Sequence, residues 1–167
     1  LALKLYRYRS AAKLSNASDA LDLALSAVPN YLPALVAYER ECLATADYDR
    51  LVETYEQEGN AALDGSFGGE NEKAWAVDAY WRSAFVVASA GGDADRAIEL
   101  CRKALALDNG HKGLQNLLAG LLEQHGRFEA LYELLLERKD AGEKGLFPQL
   151  ISLAGGALND PQRQIGL

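Results

Sequence analysis

Two histidines and two cysteines are the residues best suited to ligate a metal or to serve as base and nucleophile, and their spacing supports neither role. His111 falls in a turn and His125 directly precedes Gly126. Neither has a second His or a Cys at ligand spacing, and no HExxH string is present. Cys42 and Cys101 lie on separate helical segments at apolar positions, which fits small buried hydrophobes. They form neither a disulfide framework nor a zinc pattern. The string Gly65-Ser66-Phe67-Gly68-Gly69 is glycine-rich, but it lacks the lysine and helix start of a phosphate-binding loop. The acidic pairs Glu39 with Glu41 and Glu53 with Glu56 sit in helical stretches and are expected on a solvated face. No catalytic residue, cofactor or metal is expected, and the chain is not expected to be an enzyme.

Composition narrows the remaining classes. Nearly half of the 167 residues are apolar, enough to bury a core. The dominant Ala, Leu, Glu, Lys and Arg favour helix. No run of eighteen apolar residues exists, so no membrane insertion is expected. The formal net charge of -7 disfavours nucleic acid as a partner, because an acidic surface repels phosphate. Two cysteines without a disulfide pattern fit a reducing compartment such as the cytoplasm, with the periplasm or another compartment as the alternative. The sequence has no methionine and opens on Leu1 inside a helical pattern. It is therefore expected to be a segment of a longer protein, with apolar ends at Leu1, Leu3 and Leu5 and at Ile165 and Leu167.

Apolar periodicity predicts helices over about 2–14, 17–28, 31–45, 48–62, 72–90, 93–107, 111–125, 128–139 and 146–157. In the segment 93–107, Asp93 can cap the first N–H groups. Ala97, Leu100, Cys101, Ala104 and Leu105 then make one face, and Asp108-Asn109-Gly110 is expected to stop the helix with a left-handed glycine. Gly91-Gly92, Gly126 and Asn159-Asp160-Pro161 predict tight turns. The stretch from Gly59 to Lys73 is predicted to be a surface loop.

The helices repeat. Asn30-Tyr31-Leu32-Pro33-Ala34-Leu35 pairs with Gly110-His111-Lys112-Gly113-Leu114-Gln115, and Tyr48-Asp49-Arg50-Leu51 pairs with Phe128-Glu129-Ala130-Leu131, both at an offset of 80. Tyr8-Arg9-Ser10-Ala11 echoes Trp81-Arg82-Ser83-Ala84. Leu35, Trp81 and Gln115 each open a helix pair whose second anchor (Leu51, Ala97, Leu131) lies 16 residues on, and Trp81 and Gln115 are 34 apart. Ala17, Leu21, Ala24 and Pro29 supply a further second helix. These residues resemble the tetratricopeptide repeat. Glu39 and Phe85 stand where that family has a small residue, Gln115 replaces the opening aromatic, and Glu58 and Arg138 replace a late alanine. The repeats are degenerate, and Tyr38, Tyr55, Trp81 and Phe85 occupy packing positions expected in the core.

The resemblance implies an all-α, right-handed superhelical solenoid of antiparallel helix pairs. Its modules would be 1–62 and 74–141, with a glycine-rich loop at 63–73 and the start of a further repeat at 142–167. It implies a protein-interaction scaffold that takes a peptide or partner helix in a concave groove. A regulatory sensor for a separate effector domain and an end-to-end self-assembly module are the alternatives. The groove positions of the family fall here on Val36 and Arg40, Arg82 and Val86, and Asn116 and Gly120, with Arg9 matching Arg82. Arg9, Arg40 and Arg82 on one face would suit an acidic partner, because guanidinium groups bind carboxylates bidentately.

Overall fold

The computed structural model of the protein describes residues 1–12, 17–28, 31–65, 71–160 and 162. The expected helix end at 14, Pro29, the glycine-rich string after Gly65, Pro161, Ile165 and Leu167 lie outside the described residues. Among the described residues there are nine α-helices and no strand. None of these helices is long and apolar enough to cross a membrane.

The chain forms two compact units that divide after Asn109. The first holds α1 (Ala2–Ala11), α2 (Asp19–Ala27), α3 (Leu32–Thr45), α4 (Tyr48–Leu63), α5 (Glu72–Ser89) and α6 (Ala94–Leu107). The second holds α7 (Lys112–Gln124), α8 (Phe128–Asp140), α9 (Phe147–Ser152) and a π-helical turn, Leu153–Ala157. The helices α4 and α5, on either side of the glycine-rich segment expected at 63–73, pack together within the first unit. Gly59, expected to begin a loop, is buried inside α4 instead. Its missing side chain admits the ring of Tyr80, whose hydroxyl donates to Asn60 Oδ1 at 2.7 Å.

The first unit is built on small and aromatic residues. Leu21 and Ala24 of α2, Ala34, Tyr38 and Cys42 of α3, and Leu51 and Tyr55 of α4 form one buried cluster. Leu3 and Tyr6 of α1 and Val86 of α5 pack against it. Alanines 76, 79 and 84 on α5 are fully buried. Ala97, Leu100, Cys101 and Ala104 bury one face of α6, with Ile98 alongside, and Asp93 Oδ1 caps that helix by accepting from Asp95 N at 2.9 Å. Both cysteines are buried and unbridged, and burial pushes the Cys101 thiol up to about 12, which leaves it unreactive. Phe85 departs from expectation at 56% exposed. The buried face of α5 runs through Tyr80, Ser83, Ala84 and Val87, and residue 85 is rotated off it.

Four helices end in the same way. A left-handed residue at Ala46 (φ 55°), Gly91 (71°), Gly126 (67°) or Gly142 (93°) is followed by an N–H bonded to a carbonyl five residues back. These bonds are Asp47 to Cys42, Gly92 to Val87, Arg127 to Leu122 and Glu143 to Arg138, at 2.8–3.0 Å. This is the glycine-closed helix end, and Ala46 alone of the four carries a Cβ. The left-handed conformation costs an alanine about 1–2 kcal/mol, against up to ~1 kcal/mol of extra chain entropy for an unfolded glycine. Ala46→Gly is therefore expected to stabilise the fold by about 0.5–1 kcal/mol. The check is a higher urea midpoint at unchanged slope. The stop expected at Gly110 works differently. Asp108 turns extended (φ −137°) after Leu107, and no left-handed residue is used there.

The second unit buries Leu114, Leu118, Leu121 and Leu122 of α7, Leu131, Tyr132, Leu134 and Leu135 of α8, and Leu150 of α9. His111 precedes α7 and caps it, its Nδ1 accepting from Leu114 N at 3.1 Å. Asn159 supplies the left-handed residue beyond the π-turn (φ 50°).

Candidate functional site

Polar residues in the first unit are organised as a repeated sandwich. Tyr38 Oη on α3 donates to Asp22 Oδ1 on α2 at 2.6 Å, while the Arg50 guanidinium of α4 lies over the ring at 5.2 Å. One helix further on, Tyr55 Oη donates to Glu39 Oε1 at 2.7 Å, and the Arg82 guanidinium of α5 lies over that ring at 4.4 Å. In both cases the carboxylate stands 16 residues before the tyrosine. Burial and the adjacent carboxylate raise both phenols, Tyr55 to about 12, so each hydroxyl stays a donor. Stacking an arginine on a ring that already donates to a carboxylate ties three successive helices together.

Arg82 is engaged by three carboxylates. Its Nη2 bonds Glu58 Oε2 at 3.1 Å, and its Nη1 lies 3.5 Å from Glu39 Oε1. Its Nε lies 2.9 Å from Asp78 Oδ2, close enough for an ion pair but off the line of a hydrogen bond. Glu58 is 2% exposed, and burial raises its carboxyl above the ordinary value, with Arg82 opposing the rise. Three carboxylates thus surround one guanidinium. Sequence reasoning placed Glu39 on a solvated face and Arg82 in a groove that reads an incoming carboxylate. Both assignments are corrected here, since every nitrogen of Arg82 already faces a carboxylate of the chain. Glu56, also expected in solvent, binds Arg96 Nη2 at 2.8 Å. The signal available in the sequence was the spacing of 16 between Asp22 and Tyr38 and between Glu39 and Tyr55, which equals the spacing of the helix anchors.

The other candidates in this unit differ in burial. Arg9 is half-buried on α1, Arg40 is exposed on α3, Val36 is half-buried, and Val86 packs on the core cluster. A separate cleft of about 520 Å³ opens among α2, α3 and α4, lined by Asp22, Tyr38, Arg50 and Asn60 among others. It holds none of the predicted residues.

Asn116 and Gly120 of α7 do share a site. They line a groove of about 580 Å³ whose walls are α7, α8 and α9. Leu131, Leu135, Leu146 and Leu153 make it apolar, and Leu153 opens the π-turn. Arg138 Nη2 donates to Asn116 Oδ1 at 3.1 Å, which leaves the amide donors of Asn116 unused. Arg138 itself is buried and held by Glu143 through Nε at 3.1 Å and Nη2 at 2.6 Å. Lys112 Nζ reaches the same carboxylate. Together Arg138 and Lys112 pull the Glu143 carboxyl down to about 2. A Cβ added at Gly120 would meet nothing within 4 Å, so the glycine keeps the middle of α7 open to the groove. Among the described residues, no group of three or more His, Cys, Asp or Glu could hold a metal ion.

Fold and site together define an all-helical protein with a groove of leucines and polar side chains on α7, α8 and α9. No family model matches the chain, and no curated protein matches it significantly.

Proposed function

We propose that the protein is an interaction scaffold of the tetratricopeptide type, which takes a segment of another protein into the groove of α7, α8 and α9. The observation that carries this reading is that Asn116 and Gly120, two positions singled out by the repeat resemblance, line the same apolar groove. Its volume lies in the range of pockets that enclose a ligand.

Side-chain links in the first unit support a stack of helix pairs, the arrangement on which the expected right-handed superhelix is built. Each of α1 to α4 is tied to the helix two places on: Tyr6 to Glu41, Asp22 to Arg50, Glu39 to Arg82 and Glu56 to Arg96. Links of that kind suit a repeat whose unit is a helix pair. The arginine face expected to attract an acidic partner is not part of this proposal, because Arg82 is occupied internally.

A photo-crosslinking residue at Asn116 is expected to capture one discrete partner, and the same residue at exposed Glu133 on α8 is not. The capture should disappear when Gly120→Trp fills the groove. Equal labelling from both positions, or capture indifferent to Gly120→Trp, would overturn the proposal.

A further inference from the structure

We infer that the occupant of this groove is an apolar peptide segment bearing a lysine or arginine, which Glu123 receives at the C-terminal end of α7. The inference rests on the groove reading above and adds the chemistry of the partner.

The two formal charges in the lining are Arg138 and Glu123. Arg138 is ion-paired, since its Nε and Nη2 are held bidentately by Glu143 and Nη2 also donates to Asn116. Glu123 is exposed and has no ionic partner among the described residues. Lys112, at the opposite end of α7, is tied to Glu143. The groove therefore offers an apolar floor, unused amide donors at Asn116, an open centre at Gly120 and one unsatisfied carboxylate at its far end. Asn116 and Glu123 are seven residues apart, about 10 Å along a helix, so a segment of three or four extended residues spans them. A basic side chain at one end and apolar side chains along the rest complement this lining. The net charge of -7 favours the encounter with such a partner. An acidic segment would bring its charge to Glu123, while the charge of Arg138 is already balanced by Glu143.

A displayed library of random dodecapeptides, selected on the full chain, tests the inference. Sequences that bind the wild type but not Gly120→Trp are expected to be apolar with a Lys or Arg. Glu123→Gln should weaken them about tenfold, as loss of a charged hydrogen bond does. Glu123→Lys should shift the selected charge from basic to acidic. Both changes are at the exposed Glu123, and circular dichroism checks the fold of every variant. If groove-dependent peptides emerge with no basic preference, or ignore both Glu123 variants, the chemistry assigned to the occupant is wrong while the groove reading stands. If no peptide distinguishes the wild type from Gly120→Trp, or from Asn116→Trp should the first variant not fold, the groove reading itself fails and takes this inference with it.

Discussion

Arg82→Ala is expected to destabilise the first unit by about 2–4 kcal/mol, read as a lower urea midpoint. Removing one partner of a buried ion pair commonly costs about 3–5 kcal/mol, because the other charge stays buried and uncompensated. Arg82 is itself 29% exposed, so water screens part of that loss and the lower range applies. Glu58 decides the size of the effect, since it has almost no contact with solvent. Its folded carboxyl already titrates above the ordinary carboxylate value, and the alanine variant removes the guanidinium that opposes this rise. A folded-state value above the unfolded one means that the folded chain binds more protons, so stability falls as pH rises through that window. The deficit of Arg82→Ala should therefore be smaller near about pH 5 than near about pH 8. Glu58→Gln in the same background should recover much of the loss and flatten the pH dependence. A deficit independent of pH and unrescued by Glu58→Gln would mean that the arginine acts through packing on Tyr55 alone.

Gly59→Ala is the second large effect, at an expected loss of about 1–3 kcal/mol. A Cβ at that position would lie 2.8 Å from Tyr80 Cε1 and 2.9 Å from Cζ, inside any real contact distance. Relief would require moving a ring that is buried and anchored through its hydroxyl to Asn60. The clash outweighs the roughly 1 kcal/mol that alanine gains over glycine in a helix. Gly120→Ala is the mirror case. The same propensity gain applies there, nothing opposes the new Cβ, and stability should rise by about 0.5–1 kcal/mol. Thermal unfolding of the two single variants checks both signs at once. A rise for Gly59→Ala would contradict the close approach of α4 and α5.

The helices were legible because the forces that place them are local. Leu51, Tyr55 and Ala62 on α4, or Ala97, Cys101 and Ala104 on α6, recur at helical spacing and are buried as that spacing requires. Asp93 and the glycines at 91 and 126 mark their boundaries through bonds to residues nearby in sequence. The burial of Cys42 and Cys101 followed from the same periodicity.

Charge was not legible in this way. Whether Glu39, Glu58 and Arg82 face water or one another depends on three helices arriving at one point, and the residues involved are up to 43 apart. Any one of them, read within its own helix, looks like a solvated side chain or a groove residue. Phe85 was misplaced for a related reason: the stripe of α5 that is buried depends on where α4 and α6 sit. The close approach of α4 and α5 likewise turns on a missing side chain at Gly59, which admits the Tyr80 ring. Amino-acid order by itself determined the helices and their ends, through bonds that span a few residues. Only the tertiary structure decided which charges are paired inside the fold and which, like Glu123, stay exposed, because that pairing is set by the distance between helices.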